Sequence, residues 1–337
     1  MAISRARLLQ WQGETPYGTI AGAWATTDCH LAYDIGMPSM KQTAMPRPQL
    51  HGTIGDDLRA DIICKRTQSI SFKPEMKGNA AEFSAIVFPD CHHWLQAAGF
   101  LDVYAGGDTS HTYTRATNPT TSACPSMAIR HFIGDSTALM HTILGARCNV
   151  AFDFVPGEIL RPTVTATGLY TAPEDEAVVV PSYAADILPP IVQGLGWDPY
   201  TDSPTLGSWG QVRKLTLDLG ANVVEVPSLS PAGSEGIGGV FIHGWNTKLT
   251  AEVEAKDGAA IDDWIARWAS RTEATGAGLV ITVGSAAHNQ FIFTLGRCVP
   301  RTVTPADLDG AVGYQVDFQL MATAAATTND SIIIKAT

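Results

Sequence analysis

The feature that most constrains this chain is an alternation of apolar and polar residues with a period of two, repeated along almost its whole length. Side chains on a β-strand point to opposite faces in turn, so this period specifies strands with one buried and one wet face. It recurs over Leu31–Ile35, Ser69–Lys77, Met127–Ile133, Leu139–Leu144, Asn149–Val155 and Thr163–Leu169. The second half adds Val212–Leu219, Thr247–Lys256, Leu279–Val283, Gln290–Leu295 and Tyr314–Met321. The apolar residues alternate with Lys, Glu, Asp, Gln or Thr, as in antiparallel sheets, so the expected fold class is mainly β. A helical period appears in two places only. Residues 90–98 follow Pro89 with an acidic first turn and stop at Gly99, a good residue for leaving a helix. Residues 260–271 put Ile261, Trp264, Ile265 and Trp268 on one stripe, with Asp262 and Asp263 at the positive end of the helix dipole.

The strand words repeat. Leu31–Gly36 matches Leu215–Gly220, and Glu75–Gly78 matches Glu254–Gly258, each followed by a Trp-bearing helix. Thr142–Cys148 matches Phe293–Cys298, and Asn149–Val155 matches Val312–Gln319 through Phe152-Asp153-Phe154 and Val316-Asp317-Phe318. Matches in the same order, 150 to 184 residues apart, point to a duplicated domain rather than a solenoid. A length of 337 residues agrees with two domains at roughly 150 residues each. The expected division is a first domain over 1–175, a linker over 176–208 and a second domain over 209–337. The first domain is expected to hold an N-terminal arm over 1–27 and an irregular loop over 37–66. Prolines and glycines at Pro38, Pro46, Pro48, Gly52 and Gly55 mark that loop, and the stretch from Pro173 to Ser208 is rich in Pro, Gly, Asp and Tyr.

Hydrophobic residues make up 45% of the chain and charged ones only 16%, which excludes wholesale disorder. The formal net charge is −11, with −3 in residues 1–175 and −8 in 176–337, which excludes a basic nucleic-acid reader. No apolar run is long enough for a membrane helix, and no stretch of signal-peptide length precedes Gln10. The six cysteines lack paired spacing and read as reduced, buried thiols of a protein made in a cytoplasm. His92 and His93, adjacent on a helix, point about 100° apart and are poorly placed to share an ion. No P-loop, nucleophile elbow, dinucleotide fingerprint or zinc-protease motif is present. Nothing in the sequence argues for an enzyme, a cofactor or a metal.

Several stretches nevertheless carry a likeness. Phe72–Gly78 leads through Phe88-Pro89-Asp90 into Leu95-Gln96-Ala97-Ala98-Gly99-Phe100, and Tyr113-Thr114-Arg115-Ala116 follows. Leu144–Val150 then runs into Phe152-Asp153-Phe154 and Thr165–Pro173, and the second half offers Leu215–Gly220 and the Asp263-Trp264 helix. In these words the chain resembles the major tail tube proteins of long-tailed, non-contractile bacteriophages, in the form with a duplicated tube domain. That resemblance implies two tandem antiparallel β-sandwich or half-barrel domains, each with a flanking helix and a long loop. It implies homotrimeric, pseudo-sixfold rings (homohexamers as the alternative) stacked into a tube through which double-stranded DNA leaves. It also implies a tape measure protein in the lumen, tail terminator and distal tail proteins at the ends, and a place in the virion. The alternatives are a distal tail or baseplate-hub protein of the same fold, and a carbohydrate-binding β-sandwich with Trp24, Trp197, Trp209 and Trp245 as stacking platforms.

Two sets of residues follow as candidates. The 37–66 loop has few large apolar residues and would gain order by lying on a neighbouring ring or protomer, with Met40, Lys41, Met45, Arg47, Leu50, Ile54 and Leu58 as inter-ring contacts. The wet strand faces carry Asp34, Ser71, Lys73, Glu75 and Lys77, then Thr216, Asp218, Thr250, Glu252, Glu254, Gln315, Asp317 and Gln319. A conduit for DNA should repel phosphates, so Glu75, Asp218, Glu252, Glu254 and Asp317 are the candidate lumen carboxylates. An ordinary solvated sheet face is the other reading of the same residues.

Overall fold

A computed structural model of the chain describes residues 7–20, 22–45, 62–79, 81–117, 124–134, 137–182, 187–198, 212–227, 237–254, 277–322 and 331–337. The first half builds β1 (Arg7–Gly13), β2 (Cys29–His30), β3 (Ala32–Tyr33), β4 (Ser39–Met45), β5 (Ile62–Pro74) and the short helix α1 (His92–Ala97). It continues with β6 (Phe100–Ala105), β7 (Ser110–Arg115), β8 (Met127–Ile133), β9 (Thr137–Phe154), β10 (Thr163–Tyr170) and β11 (Glu174–Ala177). The second half builds β12 (Val192–Asp198), β13 (Val212–Asp218), β14 (Ala221–Pro227), β15 (Ile237–Trp245) and β16 (Lys248–Glu254). It ends with β17 (Ala277–Val283), β18 (Phe291–Leu308), β19 (Ala311–Met321) and β20 (Ile332–Ala336). The fold is mainly β, and among the described residues every pairing is antiparallel.

The pairings recur in order. In the first half β1 pairs β8, β8 pairs β9, β9 pairs β10, β10 pairs β5, and β5 also takes β3 and β4. In the second, β12 pairs β17, β17 pairs β18, β18 pairs β19, β19 pairs β16, β16 takes β13, and β14 pairs β15. The single strand β5 stands where the second half has β15 and β16. Ser71 pairs Thr165, as Thr250 pairs Asp317, which puts Glu75 and Glu254 at matching places. The other word matches do not survive this register. Phe152-Asp153-Phe154 lies on β9, whereas Val316-Asp317-Phe318 lies on β19, in the position of β10. Short β words are cheap, and pairing overrules them.

The long strands β9 and β18 each run through two layers. The first part of β9 pairs β8 and β11, and its last part pairs β10 and β13. The change of direction falls at a bulge where Gly145 has φ +61°. A Cβ there would sit 2.5 Å from the Tyr17 ring, so the close approach also requires glycine. Glu14, fully enclosed, holds the bulge by accepting from the Gly145 amide at 2.9 Å, the Ser126 hydroxyl at 2.5 Å and the Gly18 amide at 2.9 Å. The core lies between the layers. Trp11 of β1 stacks on Phe72 of β5 at 5.2 Å, and Phe293 of β18 meets Phe152 and Phe154 of β9 at 5.1 and 5.0 Å. Trp94 of α1 closes onto Phe152 at 6.3 Å.

Several expectations change. The 173–208 stretch is no plain linker: β11 joins β9 and β12 joins β17. Of the expected arm over 1–27, the described part from Arg7 onward is tied down, because β1 pairs β8 along its whole length and Tyr17 bonds both Gly145 O and the Val240 amide. The 37–66 stretch is an extended hairpin at both ends, since β4 pairs the start of β5. Pro38 and the later prolines masked that alternation. Arg47, Leu50, Ile54 and Leu58, and the 260–271 helix, lie outside the described residues. The halves also interlock: β20 of the second pairs β7 of the first, and the Arg115 guanidinium reaches Leu219 O at 3.4 Å and covers the Trp245 ring at 5.5 Å.

Candidate functional site

The strands β4–β5–β10–β9–β13–β16–β19–β18 form one continuous sheet, and its middle joint, β9–β13, crosses between the halves. Residues opposite one another on paired strands share a face. Following the register, Asp153 stands beside Thr216, then Thr250, Asp317 and Thr302. The next row runs Lys214, Glu252, Gln315, Thr304. Ala151, Asp218 and Lys248 make a third, and Ser71, Thr165 and Asn149 carry the same face across the first half. The opposite face holds Phe72, Val164, Val150, Phe152, Leu215, Leu217, Leu249, Ala251, Val253 and Val316, all buried. Burial of each large apolar chain contributes about 1.5–3 kcal/mol, which pins the sheet with its polar face outward.

Cross-strand bonds tie the polar face together. The Thr216 hydroxyl donates to Asp153 at 2.9 Å and Thr250 to Asp317 at 2.7 Å. Asn149 donates to Asp218 at 2.9 Å and accepts from the Ala221 amide at 2.8 Å, fastening the joint from both sides. Lys214 lies 3.6 Å from Asp153, and Arg213 pairs with Glu254. Asp218, Glu252, Glu254 and Asp317 therefore share one surface. Glu75 does not. It lies just beyond the end of β5, enclosed, accepting from the Tyr33 hydroxyl at 2.8 Å and facing Arg161 at 3.7 Å. Lys77 is likewise enclosed, 3.6 Å from Asp90. Strand β5 stops at Pro74, so the alternation read through to Lys77 no longer places these residues on the sheet. The face is also less purely acidic than expected, because Lys214, Lys248 and Arg213 sit among the carboxylates.

Asn149, Asp153, Lys214 and Lys248 share this face without a local signal in the sequence. Each sits at a polar position of an alternating strand, but nothing local says that β9 and β13, some sixty residues apart, are neighbours. Of the inter-ring candidates, Met40 and Lys41 lie exposed on β4, and the backbone of Met45 ends that strand.

A second polar cluster is buried in the first half. Asp102 accepts from His111 Nδ1 at 2.9 Å and lies 3.4 Å from His92, which also meets the Tyr113 hydroxyl at 3.1 Å. His111 Nε2 faces two carbonyl oxygens, Ser84 at 3.0 Å and Val87 at 3.2 Å, and so carries a proton. Burial lowers His111, but the Asp102 bond and charge with those carbonyls leave its pKa raised. Burial pushes His92 down to about 2. The arrangement staples the 84–87 turn to β7. Among the described residues no group of three or more His, Cys, Asp and Glu is placed to hold a metal ion. The described cysteines are buried, and burial pushes Cys148 up to about 12, far from a reactive thiolate. Trp24 and Trp245 are capped by Arg130 at 4.8 Å and Arg115 at 5.5 Å, which removes them as open stacking platforms; the side chains of Trp197 and Trp209 lie outside the described residues. Among the described residues no helix is long and apolar enough to cross a membrane.

No protein-family model matches the sequence, and no curated protein matches it.

Proposed function

We propose that this chain is a structural subunit that closes into rings and stacks into a hollow tube, the tail tube of a long-tailed phage, with the polar sheet face lining the lumen. The observation that carries the reading is the β9–β13 joint, which fuses the sheets of the two repeats into one surface with a single polar face. A repeat whose sheet already joins its neighbour's edge to edge is suited to go on doing so between chains, because closure removes exposed edges. Three chains would then present six repeats around the lumen. A lining of Thr, Gln, Asp and Glu with its lysines and arginine largely paired offers DNA no run of cations to bind, so the duplex slides past. In the virion the tape measure protein would occupy the same lumen before ejection, with terminator and distal tail proteins at the ends.

Electron microscopy of the purified full chain over a range of concentrations tests this. Hollow tubes, or rings of three chains with sixfold appearance, are the expected result. Isolated rings that never stack would favour a distal tail or hub component. A chain that stays monomeric throughout overturns the reading.

A further inference from the structure

The joint inside the chain also says where the joint between chains lies. On β9, one edge carries β10 and β11, and the other carries β8 and then β13. The overlap at Ala151, which pairs both Thr163 and Asp218, fixes β13 on the edge opposite β10. On β18, one edge carries β19 and β20, and β17 covers the other edge only as far as Cys298. Beyond it, the stretch from Thr302 to Leu308 takes no strand on that edge among the described residues. This is the place that β13 fills on β9. The counterpart of β13 in the first half is the β3–β4 segment, whose outer edge takes no strand among the described residues either. It bears exposed Tyr33, Met37 and Met40.

We infer that the C-terminal part of β18 in one copy pairs antiparallel with the β3–β4 edge of a second copy, repeating the β9–β13 joint. The inference rests on the tube reading above and gives it a register. Ser71 and Thr250 are equivalent, so Ala151 corresponds to Thr304 through Thr163 and Gln315. On the other side Ser69 corresponds to Lys248, so Ser39, opposite Ser69, corresponds to Asp218, opposite Lys248. Asp218 pairs Ala151, and therefore Ser39 of one copy stands opposite Thr304 of the next. Both are exposed in the single chain. The Leu219 amide donates to Val150 O at 3.0 Å, so the adjoining pair, Asp218 and Ala151, is of the non-hydrogen-bonded kind, with Cα atoms about 4.5 Å apart. That spacing suits a disulfide. Pro38 and Pro305 remove N–H donors from the two edges, which keeps them from pairing indiscriminately and leaves this joint weaker than the one inside the chain. The contact is head-to-tail, so it closes into a ring only if the rotation per copy allows it.

The test is a Ser39→Cys, Thr304→Cys double variant with Cys64 changed to serine, oxidised under conditions that assemble the unmodified chain. The expected result is a ladder of covalently linked chains, which neither single variant gives. Assembly without a ladder, or linkage only in a Ser39→Cys, Asp307→Cys control, overturns the register while the tube reading stands. No assembly of the unmodified chain overturns both. Charge exchange gives a second measure: Ser39→Lys with Thr304→Lys should weaken assembly at least tenfold, and Ser39→Glu with Thr304→Lys should restore it. Equal assembly of the two charge variants overturns the inference.

Discussion

The two halves pair their strands in the same order and fill their interiors differently. Among the described residues, every buried polar or charged side chain lies before residue 150: Gln10, Glu14, Gln68, Glu75, Lys77, His92, His111, His131, His141 and Arg147 among them. Among its described residues the second half buries Leu215, Leu217, Leu249, Val253, Leu279, Ile281, Phe291, Phe293, Leu295 and Ile334, and no polar side chain. The same pairing network thus carries two different fillings of one shared core. Alternation and register set the network, and the core chemistry is free to differ beneath it. The polar groups of the first half do add something: Glu14 binds the bulge of β9, and Arg147 donates to Cys124 O at 2.6 Å, fixing the chain just before β8. A sheet held by such groups is sensitive to single deletions and to pH in a way that an aliphatic one is not.

The largest expected effect comes from the apolar side of the comparison. Phe293→Ala should cost about 4 kcal/mol by urea unfolding, since it leaves a cavity against Phe152 and Phe154. Because those partners belong to the other half, unfolding should remain a single transition. Two separated transitions would mean that the halves are independent domains after all. On the polar side, Glu14→Ala should cost about 3 kcal/mol, because it strands the Gly145 and Gly18 amides and the Ser126 hydroxyl without an acceptor. A loss under 1 kcal/mol would show that the bulge is held by glycine alone.

How far the sequence reaches is clear from these same residues. The alternation of Thr163–Leu169 or Thr247–Lys256 is visible at a glance, and both hold strands within a residue or two of those bounds. The carboxylates Asp218, Glu252, Glu254 and Asp317 fall on one face because each sits at a polar position of such a strand. The misses have physical causes. Pro173–Ser208 looked like a linker because Pro and Gly dominate its composition, yet pairing with β9 and β17 draws strands from it. Glu75 reads as wet because the local period of two runs on past Pro74, where the ladder ends. The β9–β13 joint and the β7–β20 interlock depend on contacts between distant segments, which no local pattern encodes.

Acid should act next, through the buried histidines of the first half. His131 is fully buried opposite His141, whose Nδ1 meets the Gln68 amide at 3.2 Å. Burial, with His141 and Arg7 nearby, pushes His131 down to about 4, and burial lowers His141 too. An unfolded histidine titrates near 6.5, so below that pH the unfolded chain binds protons that the folded chain refuses, and stability falls as pH drops toward 4. From His131 alone the loss at pH 5 is about 2 kcal/mol. His111 acts in the opposite sense: its raised pKa favours the folded state at low pH and loses that contribution as pH rises through it. His131→Leu should therefore flatten the stability profile between pH 7 and 5. An unchanged profile would place the acid sensitivity elsewhere.

The smallest effect on stability should come from the polar sheet face, and there function and fold part company. Glu252 stands between Lys214 and Gln315 on that face, half-buried. Glu252→Lys sets two lysines side by side across β13 and β16, which costs a few tenths of a kcal/mol, within the roughly 0.5 kcal/mol range of ordinary surface changes. Folding and assembly should be untouched. On the proposed tube reading, the same change turns a repelling group into a phosphate-binding one repeated in every copy, so DNA ejection should slow and become strongly dependent on salt. Glu254 is the weaker site for this test, because Arg213 already pairs with it and part of any effect would come from the freed arginine. If the Glu252→Lys chain assembles normally and ejection proceeds at the usual rate at low salt, this face does not line the DNA path. The comparison between the buried and polar sides of the sheet would then concern solubility alone.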